Sequence, residues 1–376
     1  MADDIRVSIA IMHHPARAAI VGDLVRACAP LAARVVPDPE PDGIRSPLRT
    51  AKRAWAAVGE DATHHLVLQD DAETCTGFAG QLLRAVAERP AHAVALYSDW
   101  NSPQNSYLIR RAAAVGAAWA PLSPADWAPA VGFLLPAGAA RELAAFLAPI
   151  PDEVVDDDEM MALFCRERGI PMVATVPHLV EKRRVPTLTG HHAPYHATVF
   201  AGGRPPGPGH WARHPRTDAA LAAGFHGRGP REFVVEIRDS LCFLRLTRPG
   251  TGEPPGHEFG WYWHDWCALV GADPSQVIDE AREHAAGLPG RLADEVWAAG
   301  FLLGHDVAGI GPDGGSDWLR GALATWVESG LRPADLAALG TGGRDVLVDV
   351  CVTAVARGRA RAEAERRLPH GRVAVG

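Results

Sequence analysis

Two adjacent carboxylates, Asp70 and Asp71, follow an apolar run in the stretch HHLVLQDDAETCTGF, and they are the residues best placed to do chemistry. His65 to Gln69 has the composition of a buried strand in an α/β sheet, and ligands of such sheets gather beyond the carboxyl ends of the strands. Carboxylates there are hard oxygen ligands that suit magnesium or manganese, with a substrate's phosphates completing the coordination. The same two residues also suit a plain turn that leads into a helix cap.

Other groups fall where a sheet would bring them to the same edge. His13 and His14 end the first apolar run and are placed to contact a base or ribose. Arg45, Arg49, Lys52 and Arg53 lie on the segment before the acidic pair, where a βαβ arrangement offers Arg49 and Lys52 to a diphosphate. A solvated basic face accounts for them equally. The run Asp156, Asp157, Asp158, Glu159 fits the first turn of a helix, with capping-box spacing between Asp156 and Glu159. One cap does not require three aspartates, so Asp157, with Asp158 as substitute, is a candidate general base for an acceptor hydroxyl. The cluster Trp261, Tyr262, Trp263 and Trp266 suits either core packing or stacking on a sugar. No GxSxG, Walker A or GxGxxG sequence is present, and GIGPDGG near Gly309 reads as a loop.

The elements that must position these groups alternate. Strands are expected at Arg6–Met12, Arg34–Val36, His65–Gln69, Ala93–Tyr97, Val131–Leu135 and Pro171–Val176. Helices are expected over Ala16–Cys28, Pro47–Val58, the stripe Phe78, Leu82 and Val86 capped by Thr76, Asn105–Val115, Ala137–Leu147 and the segment after Asp156. The Gly/Pro-rich stretch 202–230 is the expected linker. Beyond it, Phe233–Arg238 and Leu241–Thr247 read as a hairpin turning at Asp239-Ser240, followed by helices, one of them capped at Asp273-Pro274 and the last near Arg344–Leu368.

Composition narrows the function classes. A chain of 376 residues suggests two domains, and a formal charge of -8 argues against a nucleic-acid binder that relies on a global positive field. Six cysteines without CxxC pairs suggest free thiols in a reducing compartment, and no stretch approaches a membrane-spanning length. A soluble, cytoplasmic protein is the expectation.

Residues 5 to about 200 resemble the GT-A class of nucleotide-sugar glycosyltransferases, and among its members small bacterial transferases of the family-2 and family-25 type. VSIAIMHHPAR is similar to the opening strand and loop of that class, HHLVLQDDA to its acidic-motif strand, and DDDEMMALFCRERGIPMV to its acceptor-side acid and helix. The resemblance implies a Rossmann-like mixed α/β sheet in a catalytic domain over 1–201; the linker 202–230 and a mainly α-helical accessory domain with a short β-hairpin over 231–376 are expected from the residue patterns alone. It implies a Mn2+ or Mg2+ ion on Asp71 and Asp70, with His191 preferred over His178 and His192 as the completing ligand. His13, His14, Arg17, Arg49, Lys52 and Asp70 would bind a nucleoside diphosphate sugar, and Asp157 or Asp158 would activate the acceptor, which is a small molecule, a glycan or a peptide. Where the class carries a carboxylate at both ends of its acidic triplet, this chain reads Gln69-Asp70-Asp71, which shifts the metal role onto Asp71. Two rival classes remain: nucleotidyl or phosphoryl transfer, which also uses paired aspartates, and a non-catalytic ligand-binding module. The second domain would shape the acceptor site, form a homodimer or bind a carrier protein.

Overall fold

Short β-rich runs alternating with single apolar stripes can bury themselves only as a sheet covered by helices, and the first half of the chain folds this way. The computed structural model describes residues 5–154, 156–188, 195–226, 233–246, 260–270, 273–285, 287–311 and 317–367. They fall into two compact units, one drawn from Met1–Ile109 and Ala118–Asp218, the other from Arg110–Ala117, Ala219–Thr247 and Gly256–Gly376.

The strands of the first unit are β1 (Val7–His13), β2 (Ala33–Pro37), β3 (His64–Gln69), β4 (Ala72–Thr74), β5 (Ala93–Ala95), β6 (Trp119–Pro121), β7 (Gly132–Pro136), β8 (Met172–Thr175) and β9 (Val180–Lys182). Seven of them form a mixed sheet in the order β2-β1-β3-β7-β5-β8-β6. β3 runs parallel to β1, with Met12 opposite Gln69, and β7 runs antiparallel to β3 and to β5. The chain passes from β1 to β2 on one side and then to β3 on the other. The loops leaving β1 and β3 therefore diverge around a crevice, which is where such sheets take ligands. That register brings His13-His14 and Asp70-Asp71 to one edge.

The helices of this unit are α1 (Ala18–Ala27), α2 (Pro47–Ala56), α3 (Phe78–Glu88), α5 (Ala137–Leu147) and α6 (Asp157–Glu167), while α4 (Asn105–Ala114) and α7 (Pro215–His226) are each divided between the two units. α2 starts where the Ser46 hydroxyl accepts the Arg49 N–H at 3.3 Å and Pro47 takes the first turn. Its expected stripe is buried, and Trp55 packs edge-on against His65 and Phe133 with centroids 5.8 and 6.4 Å away. His65 is a core residue, bonded to Ser8 Oγ at 2.8 Å and to the Ala54 carbonyl at 2.9 Å.

Several local expectations are corrected. Thr76 does not cap α3; the cap position is Gly77, at φ 70, a left-handed conformation that glycine adopts without steric cost. The residues after Asp71 enter β4, which pairs antiparallel with β9 and sets Ala72 opposite Lys182. β6 was not foreseen, because three residues ending in proline give no periodic signal. Within 202–230 the GGRPPGPGH portion carries no helix or strand, but Pro215–His226 forms α7. Trp211 is buried there, donating to Gln81 Oε1 at 2.8 Å and packing 5.5 Å from Trp119.

In the second unit β10 (Phe233–Arg238), β11 (Leu241–Leu246) and β12 (Gly260–Tyr262) form an antiparallel sheet. Asp239 and Ser240, at φ 51 and 64, make the expected two-residue turn. Helices α8 (Trp263–Val270), α9 (Pro274–His284), α10 (Gly290–Val307), α11 (Asp317–Gly330) and α12 (Pro333–Arg367, kinked at Gly340) complete it. Asp273 caps α9 by accepting the Ser275 N–H at 2.9 Å. Trp263 is buried and Tyr262 is exposed, so the aromatic cluster is at least partly core. Glycines let α10 and α12 approach closely: a Cβ at Gly304 would overlap the Val355 carbonyl, and one at Gly358 the Phe301 carbonyl. Arg111 and Asp306 form an ion pair at 2.8 Å, each side chain 2% exposed. All six cysteines are free and buried, and among the described residues no helix is long and apolar enough to cross a membrane.

Candidate functional site

The β1–β3 register converts sequence neighbours of the two strands into a polar cluster. Asp70 Oδ2 accepts the His14 backbone N–H at 2.8 Å and lies 3.2 Å from His13 Nδ1, while Arg17 Nη1 donates to Asp70 Oδ1 at 2.8 Å. The same Arg17 nitrogen lies 3.0 Å from Asp71 Oδ2, and Lys182 Nζ is 3.8 Å from that oxygen. Lys182 arrives through the β4–β9 pairing, reinforced where the Arg183 N–H donates to the Asp71 carbonyl at 2.7 Å. Both carboxylates are buried, at 4% and 1% exposed. Both residues make the turn between β3 and β4, as the plainer reading expected, but neither caps a helix. Asp71 Oδ1 is buried and takes no hydrogen bond among the described residues.

Two clefts open on either side of this cluster. The first, about 350 Å³, is walled by His13, His14, Arg17 and Asp70, by the loop from Asp38 to Ser46, and by Arg49 and Thr50. Arg49 shapes that loop, donating to Asp38 Oδ1 and Oδ2 at 2.9 and 3.1 Å, to the Glu40 carbonyl at 2.7 Å and to the Ile44 carbonyl at 3.0 Å. Burial pushes the Asp38 carboxyl up, but the Arg49 hydrogen bond and charge outweigh it and hold it below its ordinary value. The second cleft, about 610 Å³, is walled by Tyr97, Asp99, Trp127, the acidic run Asp156 to Glu159, Lys182 and Tyr195. Pro47 and Gln69 line both clefts. Gln69, which stands where a carboxylate was expected, is thus at their junction.

No family model and no curated protein matches this chain. Its chemistry has to be read from the side chains themselves.

The acidic run is not consumed by capping. Asp156 occupies the cap position of α6 without a side-chain hydrogen bond, so the expected capping box does not form, and Asp158 Oδ1 instead accepts the Glu159 N–H at 2.8 Å. Asp157 is buried, and burial pushes its carboxyl up to about 6. Burial, reinforced by the Asp157 charge, pushes Asp158 up to about 7. Carboxyls in this range are suited to exchanging a proton near neutrality. Asp99, also pushed up to about 7 by burial, accepts the Asn101 N–H at 2.6 Å and the Tyr97 hydroxyl at 3.2 Å.

The structure therefore brings His13, His14, Arg17, Arg49 and Asp70 to one cleft and Asp157 and Asp158 to its neighbour. Lys52 lines neither: it pairs with Asp152 at 2.6 Å and donates to the Ile150 carbonyl. His178 is fully buried beside Tyr97, where burial drives its imidazole down to about 3, and it lines neither cleft. His191 and His192 lie outside the described residues. Asp99 and Lys182 were not singled out beforehand. The signal for Asp99 was its place two residues after Tyr97, beyond the end of a strand parallel to β3, the same relation that marked Asp70.

The expected divalent ion can be tested against these donors. Three of the four carboxylate oxygens are already engaged, by Arg17, by Lys182, by His13 and by the His14 N–H. Among the described residues no group of three His, Cys, Asp or Glu side chains is arranged to hold a metal. An ion ligated by both aspartates would face the Arg17 guanidinium at contact distance. The described donor set, as it stands, does not fit it.

Proposed function

We propose that the first unit is a glycosyltransferase that takes a nucleoside diphosphate sugar in the first cleft and an acceptor hydroxyl in the second. Its mixed sheet, with the acidic pair leaving a central strand at the reversal of strand order, is the arrangement the GT-A resemblance leads one to expect. The observation that carries the reading is the pair of clefts meeting at Gln69 and Pro47, one bearing cations and the other carboxyls pushed toward neutrality. A diphosphate needs the first and a nucleophilic hydroxyl needs the second.

In this reading Asp157 accepts the acceptor's proton as the hydroxyl oxygen bonds to the anomeric carbon. The bond from that carbon to the diphosphate breaks, and its electron pair leaves on the phosphate oxygen. Arg49 holds the loop from Asp38 to Ser46 that walls the nucleoside end. The test is calorimetric titration of the full chain with nucleoside diphosphates, their sugar conjugates and the matching triphosphates. One nucleoside diphosphate and its sugar conjugate should bind, and the conjugate should release nucleotide on prolonged incubation. Tighter binding of a triphosphate than of any sugar diphosphate would favour nucleotidyl or phosphoryl transfer instead.

A further inference from the structure

The cluster between the clefts is built unlike an open metal site. We infer that Arg17 and Lys182, tethered together through Asp71, are the cations that receive the leaving diphosphate, in the place where a divalent ion was expected. The inference rests on the glycosyltransferase reading for the identity of the leaving group, and on the geometry for the identity of the cations.

Asp71 Oδ2 lies 3.0 Å from Arg17 Nη1 and 3.8 Å from Lys182 Nζ. Arg17 is part of the wall of the first cleft and Lys182 part of the wall of the second. One buried carboxylate thus holds a cation toward each cleft, beside the Gln69 that both share. Asp70 and Asp71 balance Arg17 and Lys182 in formal charge, so the cluster is neutral before ligand arrives. A divalent ion would add two positive charges to a place that already holds two. A diphosphate instead adds negative charge against cations held in advance, which is the electrostatic preorganisation that lowers the barrier for a departing anion. Lys182 has donors for this: an ammonium carries three, and its ion pair with Asp71 at 3.8 Å and its position over the Tyr195 ring, 5.5 Å from the centroid, do not engage them all. Arg17 is pinned by Asp70 at 2.8 Å and by the Pro186 carbonyl at 3.2 Å, so its guanidinium keeps its place when the ligand comes and goes.

When the sugar is transferred, the electron pair of the breaking carbon–oxygen bond stays on the diphosphate oxygen. Arg17 and Lys182 meet that charge with N–H donors, while the acceptor's proton goes to Asp157. No further reactant is needed.

The probe is inorganic pyrophosphate, which carries the shared chemistry of every nucleoside diphosphate. It is titrated calorimetrically into the full chain in excess EDTA and again with Mg2+ or Mn2+. Binding should occur in EDTA and should weaken about tenfold or more in Lys182→Gln, the loss expected for one charge-assisted contact. Arg26→Gln, on the exposed face of α1, should bind like the parent. Arg17→Gln removes the guanidinium that bridges both buried carboxylates and is expected to fold poorly, so Arg17→Lys serves for that position and should retain weakened binding. Binding only with a divalent ion would overturn the inference and leave the glycosyltransferase reading standing. Unchanged affinity in Lys182→Gln would equally overturn it. Binding in neither condition would remove the diphosphate site, and the functional reading with it.

Discussion

Replacing Asp157 with Asn should make the protein more stable at alkaline pH while removing most of its activity. The Asp157 carboxyl is pushed from the usual 3.8 up to about 6, chiefly by burial. At about 1.4 kcal/mol per tenfold change in the proton equilibrium, ionising it costs about 3 kcal/mol more in the folded protein than in the unfolded chain. The sign follows from proton counts. Between about pH 4 and 6 the unfolded chain has released this proton and the folded protein still holds it, so stability falls as pH rises through that window and is flat above it. Asn keeps the shape and never ionises. The difference in unfolding free energy between variant and parent should therefore be near zero at pH 4 and reach about 2–3 kcal/mol in favour of the variant at pH 8. Urea denaturation of both proteins at pH 4, 6 and 8 reads that difference, and it cancels groups that do not feel Asp157, such as buried His178; Asp158, which the Asp157 charge pushes up, is relieved in the variant and adds to the difference in the same direction. Sugar transfer should fall by about 10² to 10⁴, the usual worth of a general base. The parent's rate should rise with pH through about 6, a limb that the variant lacks. A variant less stable than the parent at pH 8, or one that keeps the acid limb, would refute the argument that this buried carboxylate is strained for a purpose.

Two further outcomes concern the second unit. Arg111→Met removes the cation paired with Asp306, whose side chain is 2% exposed, and should cost about 3–5 kcal/mol in urea denaturation, whereas the double change Arg111→Met with Asp306→Leu should recover much of it. Gly304→Ala should lower the thermal midpoint strongly, because its Cβ would overlap the Val355 carbonyl and force α10 and α12 apart; the strain should be at least about 1–3 kcal/mol, and Gly138→Ala, with open space around it, should be close to neutral.

Most of the first sheet was legible because its strands are short apolar runs bounded by polar signals. The helix Ala137–Leu147 was read with its observed ends, and the turn at Asp239-Ser240 with its observed two residues. What escaped was structure that depends on a distant partner. β4 and β9 are three residues each, too short for a periodic signal, and exist because they pair across more than a hundred positions. α7 escaped because the Gly/Pro-rich residues before it dominated the composition of its neighbourhood, although Pro215 at its start is itself a helix-opening signal.

The same limit decides the candidate site. The sequence identifies Asp70 and Asp71 as carboxylates at a strand end, and chemistry alone then allows a turn, a cap or a cation. Which cation they hold depends on residues that reach the same edge by other routes. Arg17 comes from the loop after β1 and Lys182 from β9, and only the register of β1 on β3 and of β4 on β9 reveals that both meet Asp71. A strand-end acidic pair is a metal prediction while the surrounding cations are unplaced. With Arg17 at 2.8 and 3.0 Å it becomes an ion-paired cluster, and in the inference drawn above the charge-neutralising role expected of a metal falls to two side chains that the fold holds in advance.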